Sequence, residues 1–316
     1  MSFLRRMDQR VLLILLLAAL MLLAGSLESR FFTGANLLNV LRQSSIIGVI
    51  SLGMTVVILT GGIDLSVGSV LALSALVAAS AAKSGLSATL AWGCALIAGA
   101  GLGWVNGLFT ARLRLPPFIV TLGMMGLARG LSFIYTGGAP VTGFPPLFRL
   151  PGSGVIAGIP VPVLIFAVAF IAVHTLMERC PWGEFIRNTG SNISAAWGSG
   201  IDVQRTVSMA YLLCGLLASV AGLMLTGRLD SAQPSAGVGY EFGAIAAVVL
   251  GGTSFSGGTG TLSGTLLGVL IMAVLENGMN LLNVNPLSEQ LVKGVVIAAA
   301  LVAYGNLGRG DGKQSS

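Results

Sequence analysis

The chain has 316 residues, of which 54% are hydrophobic and only 9% charged, where soluble domains carry about 25% charged residues. Apolar runs long enough to approach a bilayer crossing recur from end to end, so the sequence reads as an all-α polytopic membrane protein. It forms one transmembrane domain, 1–316, with a flexible polar tail at about 306–316. The net charge of +6 is then a loop bias rather than a nucleic-acid footprint.

Arg5, Arg6 and Arg10 precede the run Val11–Leu27. No clean A-x-A cleavage site follows and another span comes directly after, so the run is read as an uncleaved first helix with a cytoplasmic N-terminus. Further spans are expected near 44–60, 65–82, 86–110, 117–135, 159–177, 205–226, 241–253, 261–278 and 288–304. That makes about ten helices and puts both termini in the cytoplasm. The basic residues agree with this topology. Arg5, Arg6, Arg10, Arg112, Arg114, Arg179, Arg187, Arg205, Arg309 and Lys313 fall inside; Arg30, Arg42, Lys83, Arg149 and Arg228 fall outside. The excess on the cytoplasmic side follows the positive-inside rule. The polar interval Cys180–Gln204 then lies inside, and 136–158 and 227–240 face outward.

Small residues describe the packing. Gly99, Gly103 and Gly107 fall one turn apart on one face, and Gly264/Gly268 and Ala218/Gly222 repeat the spacing. Such rows let helix backbones approach closely in a membrane. Two glycine-rich stretches, Thr60–Ser69 (TGGIDLSVGS) and Gly251–Gly264 (GGTSFSGGTGTLSG), interrupt the apolar pattern. Broken helices at depth are tolerated where they are buried in protein or line a watery cavity. Asp64 in the first break either caps the next helix or lines a pathway. Arg129, Glu276 and Lys293 are the other charges within or at the ends of spans, where an acid and a base on different helices can pair. His174, the only histidine, reads as packing.

Within Cys180–Gln204, Phe185, Ile186, Ile193 and Ala195–Trp197 give one apolar side to a short helix. Asn188 or Ser191 is its expected N-cap, and Gly198 and Gly200 stop it. On pattern alone this is either a solvated loop or a docking element for a soluble partner. No catalytic residues and no metal site emerge: there is no triad around His174, no HExxH, no paired cysteines and no Walker A motif. Acids at mid-membrane are too few for a typical ion-coupled carrier. The energy is therefore expected from elsewhere.

Met54–Ser80, Thr121–Val141 and Tyr211–Gly268, with the motifs GGIDLSVGS and SAQPSAGVGYE–IAAVVLGGTS, resemble the ribose-type permeases. These are membrane subunits of bacterial ATP-binding-cassette (ABC) importers for monosaccharides. The resemblance runs from about Phe31 to Tyr304. It implies the permease fold of the ribose and branched-chain amino-acid type, in the bacterial inner membrane. It also implies a second permease subunit in a homo- or heterodimer, a cytoplasmic ABC ATPase and a periplasmic sugar-binding protein, with membrane lipid around them and no nucleic acid. This chain binds no cofactor itself; ATP and Mg belong to the partner ATPase.

By the same resemblance 183–201 is the coupling helix. Its residues are Gly183, Phe185, Ile186, Arg187, Asn192, Ile193, Ala195, Ala196, Trp197, Ser199 and Gly200. Phe185, Ile186, Ile193, Ala196 and Trp197 would fill an ATPase groove, and Arg187 would give a rim contact. Relatives carry acids after Asn192, where this chain has Ile193 and Ser194, and Arg-Leu where it has Trp197-Gly198, which implies a dedicated ATPase. A second departure is Phe242-Gly243, where relatives often have an apolar residue and an acid. Sugars are held by hydrogen bonds and aromatic stacking, so polar groups near the breaks are the candidates for the translocation path. They are Asp64, Ser66, Gln233, Tyr240 and Glu241. The rival readings are a branched-chain amino-acid permease and an ATP-independent facilitator or channel.

Overall fold

Helix α1 (Gln9–Leu27) enters the bundle, and α2 (Gly34–Leu59) runs through its centre, where every residue from Gly48 to Thr60 is buried. The computed structural model describes residues 9–285 and, beyond them, 288, 291, 292, 294–296 and 298. The expected last span, Lys293, Arg5, Arg6 and the polar tail lie wholly or mostly outside the described residues. Helix α2 begins at Gly34 rather than near residue 44 because Thr33 caps it, its hydroxyl accepting from the Asn36 amide. The chain continues through α3 (Val67–Lys83), α4 (Ala88–Ala111), α5 (Pro117–Thr136), the short α6 (Pro146–Ser153) and α7 (Val161–Arg179). After α8 (Pro181–Ser191) and α9 (Ile193–Gly198) come α10 (Val203–Leu229), α11 (Tyr240–Leu250) and α12 (Leu262–Leu281).

Among the described residues seven helices are long and apolar enough to cross a membrane, while α3 and α11 are shorter. At 1.5 Å per residue α11 extends only about 16 Å, roughly half of a ~30 Å hydrocarbon core. It is a half-helix that starts and stops inside the bundle, as the glycine-rich breaks imply.

The glycine row on α4 packs against α10, where added Cβ atoms would meet backbone. A Cβ at Gly99 would lie 2.5 Å from the Gly215 carbonyl oxygen, at Gly103 2.2 Å from that of Tyr211, and at Gly107 2.6 Å from the Ser208 Cα. The second row does the same for α12 and α11, Gly268 abutting the Ala247 carbonyl and Gly264 that of Gly251. These contacts are van der Waals packing between backbones, which replaces the hydrophobic drive that is missing in lipid. Gly103→Leu is expected to destabilise the bundle. Overpacking typically costs about 1–3 kcal/mol, and here the obstacle is backbone rather than a movable side chain. The yield of monodisperse protein in detergent should fall steeply, while Gly101→Leu, with open space around its Cβ, should extract normally.

Two-residue strands β1 (Val141–Thr142) and β4 (Ser231–Ala232) pair antiparallel, with β2 (Val155–Ile156) and β3 (Ile159–Pro160) forming a hairpin between them in sequence. The β1–β4 ladder joins the two loops that were expected to share one membrane face. Lys83 Nζ donates to the Gly143 carbonyl at 3.1 Å, and Arg149 pairs with Asp230 at 3.2 Å. Helices α8 and α9 lie at the opposite end.

Candidate functional site

The segment between α2 and α3 is held by three neighbouring helices. Asp64 Oδ1 accepts from the Ser66 amide at 2.9 Å and from its hydroxyl at 2.6 Å, and Asn106 of α4 donates to that hydroxyl at 2.9 Å. The Ile63 carbonyl accepts from Thr121 of α5 at 3.2 Å and from Tyr211 of α10 at 3.3 Å. Asp64 and Ser66 are 1% and 0% exposed. Their bonds go to each other and to Asn106, and they pin the break at the entry to α3. A buried polar group needs such partners.

The break between α11 and α12 folds back onto the first. The Gly258 amide donates to the Leu59 carbonyl, the last residue of α2, at 3.0 Å. A Cβ at Gly257 would stand 2.8 Å from the Gly61 nitrogen. Gly61, Gly257 and Gly258 all have positive φ, +82°, +87° and +74°, so this close crossing needs glycine. The C-terminal end of α8 closes the knot. A Cβ at Gly190 would lie 1.9 Å from the Leu59 oxygen and 2.6 Å from the Gly258 nitrogen, and Ser191 abuts Gly258. One contact point thus joins α2, the α11–α12 break and the element singled out for docking.

That element is two helices, not one. Asn192, rather than Asn188 or Ser191, is the N-cap of α9, its side chain accepting from the Ala195 amide at 3.0 Å. Cys180 precedes α8 without a side-chain cap, and Ser199 closes α9 with its hydroxyl on the Ala195 carbonyl. Gly200 has a φ of +82°, as a helix terminator requires. The apolar residues divide between two faces. Ile186 is 0% exposed, Ala196 is 3% exposed, and Gly183 is buried against the Met177 backbone. Contrary to expectation, Ile186 and Ala196 anchor the unit to its own chain and are not free to fill a partner's groove. Phe185, Ile193 and Trp197 are outward, and Ala195 is exposed beside them. Arg187 is engaged by Glu178 and by the Met177 carbonyl.

The remaining pathway candidates sit around the start of α11. Gln233 and Tyr240 are half-buried and Glu241 is buried. Glu241 Oε1 accepts from the Gly239 amide at 3.2 Å, and Gly68 of α3 packs against its other oxygen. Arg129 does not meet an acid directly. Its guanidinium donates to the Pro234 and Ala236 carbonyls at 2.6 and 2.7 Å, fixing the loop that enters α11. Glu276 accepts from Gln43 at 3.3 Å. His174 stacks on Phe170, with ring centroids 5.7 Å apart. No group of three or more metal-ligating side chains occurs among the described residues.

Sequence reasoning missed Gly190 and Asn106 as organisers of the knot. Asn106 carried a usable signal, a polar side chain inside an apolar span; Gly190 is one of the residues the loop shares with the family pattern, but only the fold shows what its missing side chain lets approach.

Residues 36–301 match the family model described as branched-chain amino acid transport system / permease component. The chain is 47% identical over 300 residues to the ribose import permease protein of Escherichia coli strain K12, covering 94% of this chain and 93% of that one. It is 47% identical over 285 residues to the ribose import permease protein of Bacillus subtilis strain 168, covering 90% and 88%. To the D-allose transport system permease protein of E. coli K12 it is 37% identical over 289 residues, covering 90% and 88%. No solved structure matches the chain.

Proposed function

Because the chain belongs to this family of ABC importer permeases, a multi-pass membrane subunit whose ATPase is a separate chain, we propose that it carries a monosaccharide: a pentose, a hexose or a related small polyol. The full-length similarity to ribose and allose permeases supports the substrate class. The observation that carries the mechanism is the contact of α8, at Gly190, with the last residue of α2 and with the break between α11 and α12. A push on α8–α9 from a soluble partner reaches the last residue of α2 and the segment that joins α11 to α12.

In this reading the α8 end is cytoplasmic, both termini lie on that side, and Phe185, Ile193 and Trp197 contact the ABC ATPase, which holds ATP and Mg. Ala195 and Arg187 border that contact, while Gly183, Ile186, Asn192, Ala196, Ser199 and Gly200 give the unit its shape. A periplasmic sugar-binding protein docks at the β1–β4 end. The exposed apolar face of α5, with Phe118, Ile119 and Leu127, is covered by lipid or by a second permease subunit. Gln233, Tyr240 and Glu241 border the path, which Asp64 and Ser66 support from within. Alternating access then needs only that the ATPase contact α8–α9 differently in its ATP-bound and ATP-free states.

A second reading, a branched-chain amino-acid permease, rests on the family description. Uptake by cells lacking and regaining the gene separates the two. Loss and recovery of ribose or another monosaccharide is the expected result; loss of leucine, isoleucine or valine uptake instead overturns the substrate class. Affinity purification of the full chain from native membranes should bring an ABC ATPase with it. Purification of the chain alone, still moving sugar in liposomes without ATP, overturns the coupling.

A further inference from the structure

Between the outer halves of α2 and α12 and the start of α11 lies a cavity of about 180 Å³, lined by Gln43, Ile47, Arg228, Tyr240, Gly243 and Glu276 among others. The volume is more than ten times the ~10–15 Å³ that one water needs, yet below the roughly 300–1,000 Å³ of sites for drug-sized ligands. Its walls mix a carboxylate acceptor, an amide that both donates and accepts, a guanidinium donor and a phenol ring, drawn from four different helices. Gln43 and Glu276 already meet at 3.3 Å across it, so two of these groups are preset in one orientation. An acyl chain has no use for such a lining. A small solute bearing many hydroxyls does, because each hydroxyl donates and accepts at once.

Gly243 keeps the space open. A Cβ built there would meet only Ile47 Cδ1, at 3.9 Å, so a side chain at 243 fits its own helix and enters the cavity. From this lining we propose that the cavity is a monosaccharide subsite within the permease, where the sugar pauses after release from its binding protein. Gln43, Arg228 and Glu276 bond its hydroxyls and Tyr240 packs against its ring face. The inference rests on the monosaccharide reading above. The subsite lies at the start of α11 (Tyr240–Leu250), and the segment that follows the other end of that helix carries Gly258 of the knot.

The test is uptake of labelled ribose, its epimers and leucine by cells carrying the complete importer, with wild-type, Gly243→Leu and Gln43→Ala chains. Membrane level and co-purification of the ATPase are checked for each. Gly243→Leu should cut sugar uptake about tenfold or more, the scale on which a misfitted pocket discriminates, at normal membrane level and with the ATPase retained. Gln43→Ala should change the ratio of ribose to epimer uptake, which a merely structural amide does not move. Wild-type sugar uptake with both variants transporting at the wild-type rate and ratio overturns the subsite and leaves the proposed function standing. Wild-type uptake of leucine and no sugar overturns both.

Discussion

With valine in place of Gly190, uptake should fall by roughly 100-fold, the loss expected when a coupling of about 3 kcal/mol between two sites is removed. The chain should still reach the membrane. The cause is local. A Cβ at 190 would sit 1.9 Å from the Leu59 oxygen and 2.6 Å from the Gly258 nitrogen, and those two atoms are themselves bonded at 3.0 Å. Neither is the end of a flexible side chain. Either α8 lifts away from the breaks or the Gly258–Leu59 bond opens, and both outcomes separate the proposed docking unit from the helices it is proposed to move. Overpacking of this kind costs about 1–3 kcal/mol at one end of α8, while α4, α10 and the centre of α2 keep their contacts. ATP hydrolysis by the assembled importer should therefore persist without sugar movement. Uptake measured beside hydrolysis checks it, with Gly101→Ala, where nothing lies within 4 Å, as the control. Normal uptake by the valine chain would show that the knot transmits nothing.

The membrane class, the helix order and the glycine rows were legible because each rests on local pattern: run length, residue size and spacing. Gly99, Gly103 and Gly107 fall on one helical face whatever the fold, and a face of glycines in lipid has one economical use. The two breaks were legible for the same reason, and α3 and α11 came out short beside them. Contacts between distant segments were not. Nothing local says that Gly258 returns to Leu59, or that Gln43, Arg228 and Glu276 gather about Gly243, since those pairings are made by the bundle. The coupling stretch shows the boundary most sharply. Its apolar residues were visible in sequence, but one helix and two helices distribute them differently. Asn192 caps α9 and restarts the helical register, which turns Ala196 inward and Trp197 outward. The asparagine was recognised as part of the family pattern and its capping role was not.

Trp197→Asp should abolish both ATPase recovery and uptake while leaving the chain folded. Trp197 is 62% exposed, with Ile193 and Phe185 also outward, an arrangement that leaves three large apolar side chains on a short polar interval. Large aromatic anchors at interfaces commonly contribute 2 kcal/mol or more, on the order of the hot-spot threshold. Placing an unpaired carboxylate where the ring was adds a desolvation cost on the partner's apolar surface of at least the roughly 2 kcal/mol that a neutral polar group costs. Together these approach ~4 kcal/mol, roughly a 1,000-fold loss in affinity. The substitution spares the chain itself, because the residues that anchor the unit are Ile186 and Ala196, and the helix-ending bonds at Asn192 and Ser199 use side chains other than the indole and backbone that aspartate keeps. Ala196→Asp is the informative contrast. It buries a charge against the chain's own helices, so it should lower the amount of folded protein in the membrane before any partner is involved. Loss of the ATPase with Trp197→Asp at normal membrane level, and loss of the chain itself with Ala196→Asp, would assign the two faces of α9 separately. Retention of the ATPase and of transport by Trp197→Asp would instead place the docking surface on another part of the chain.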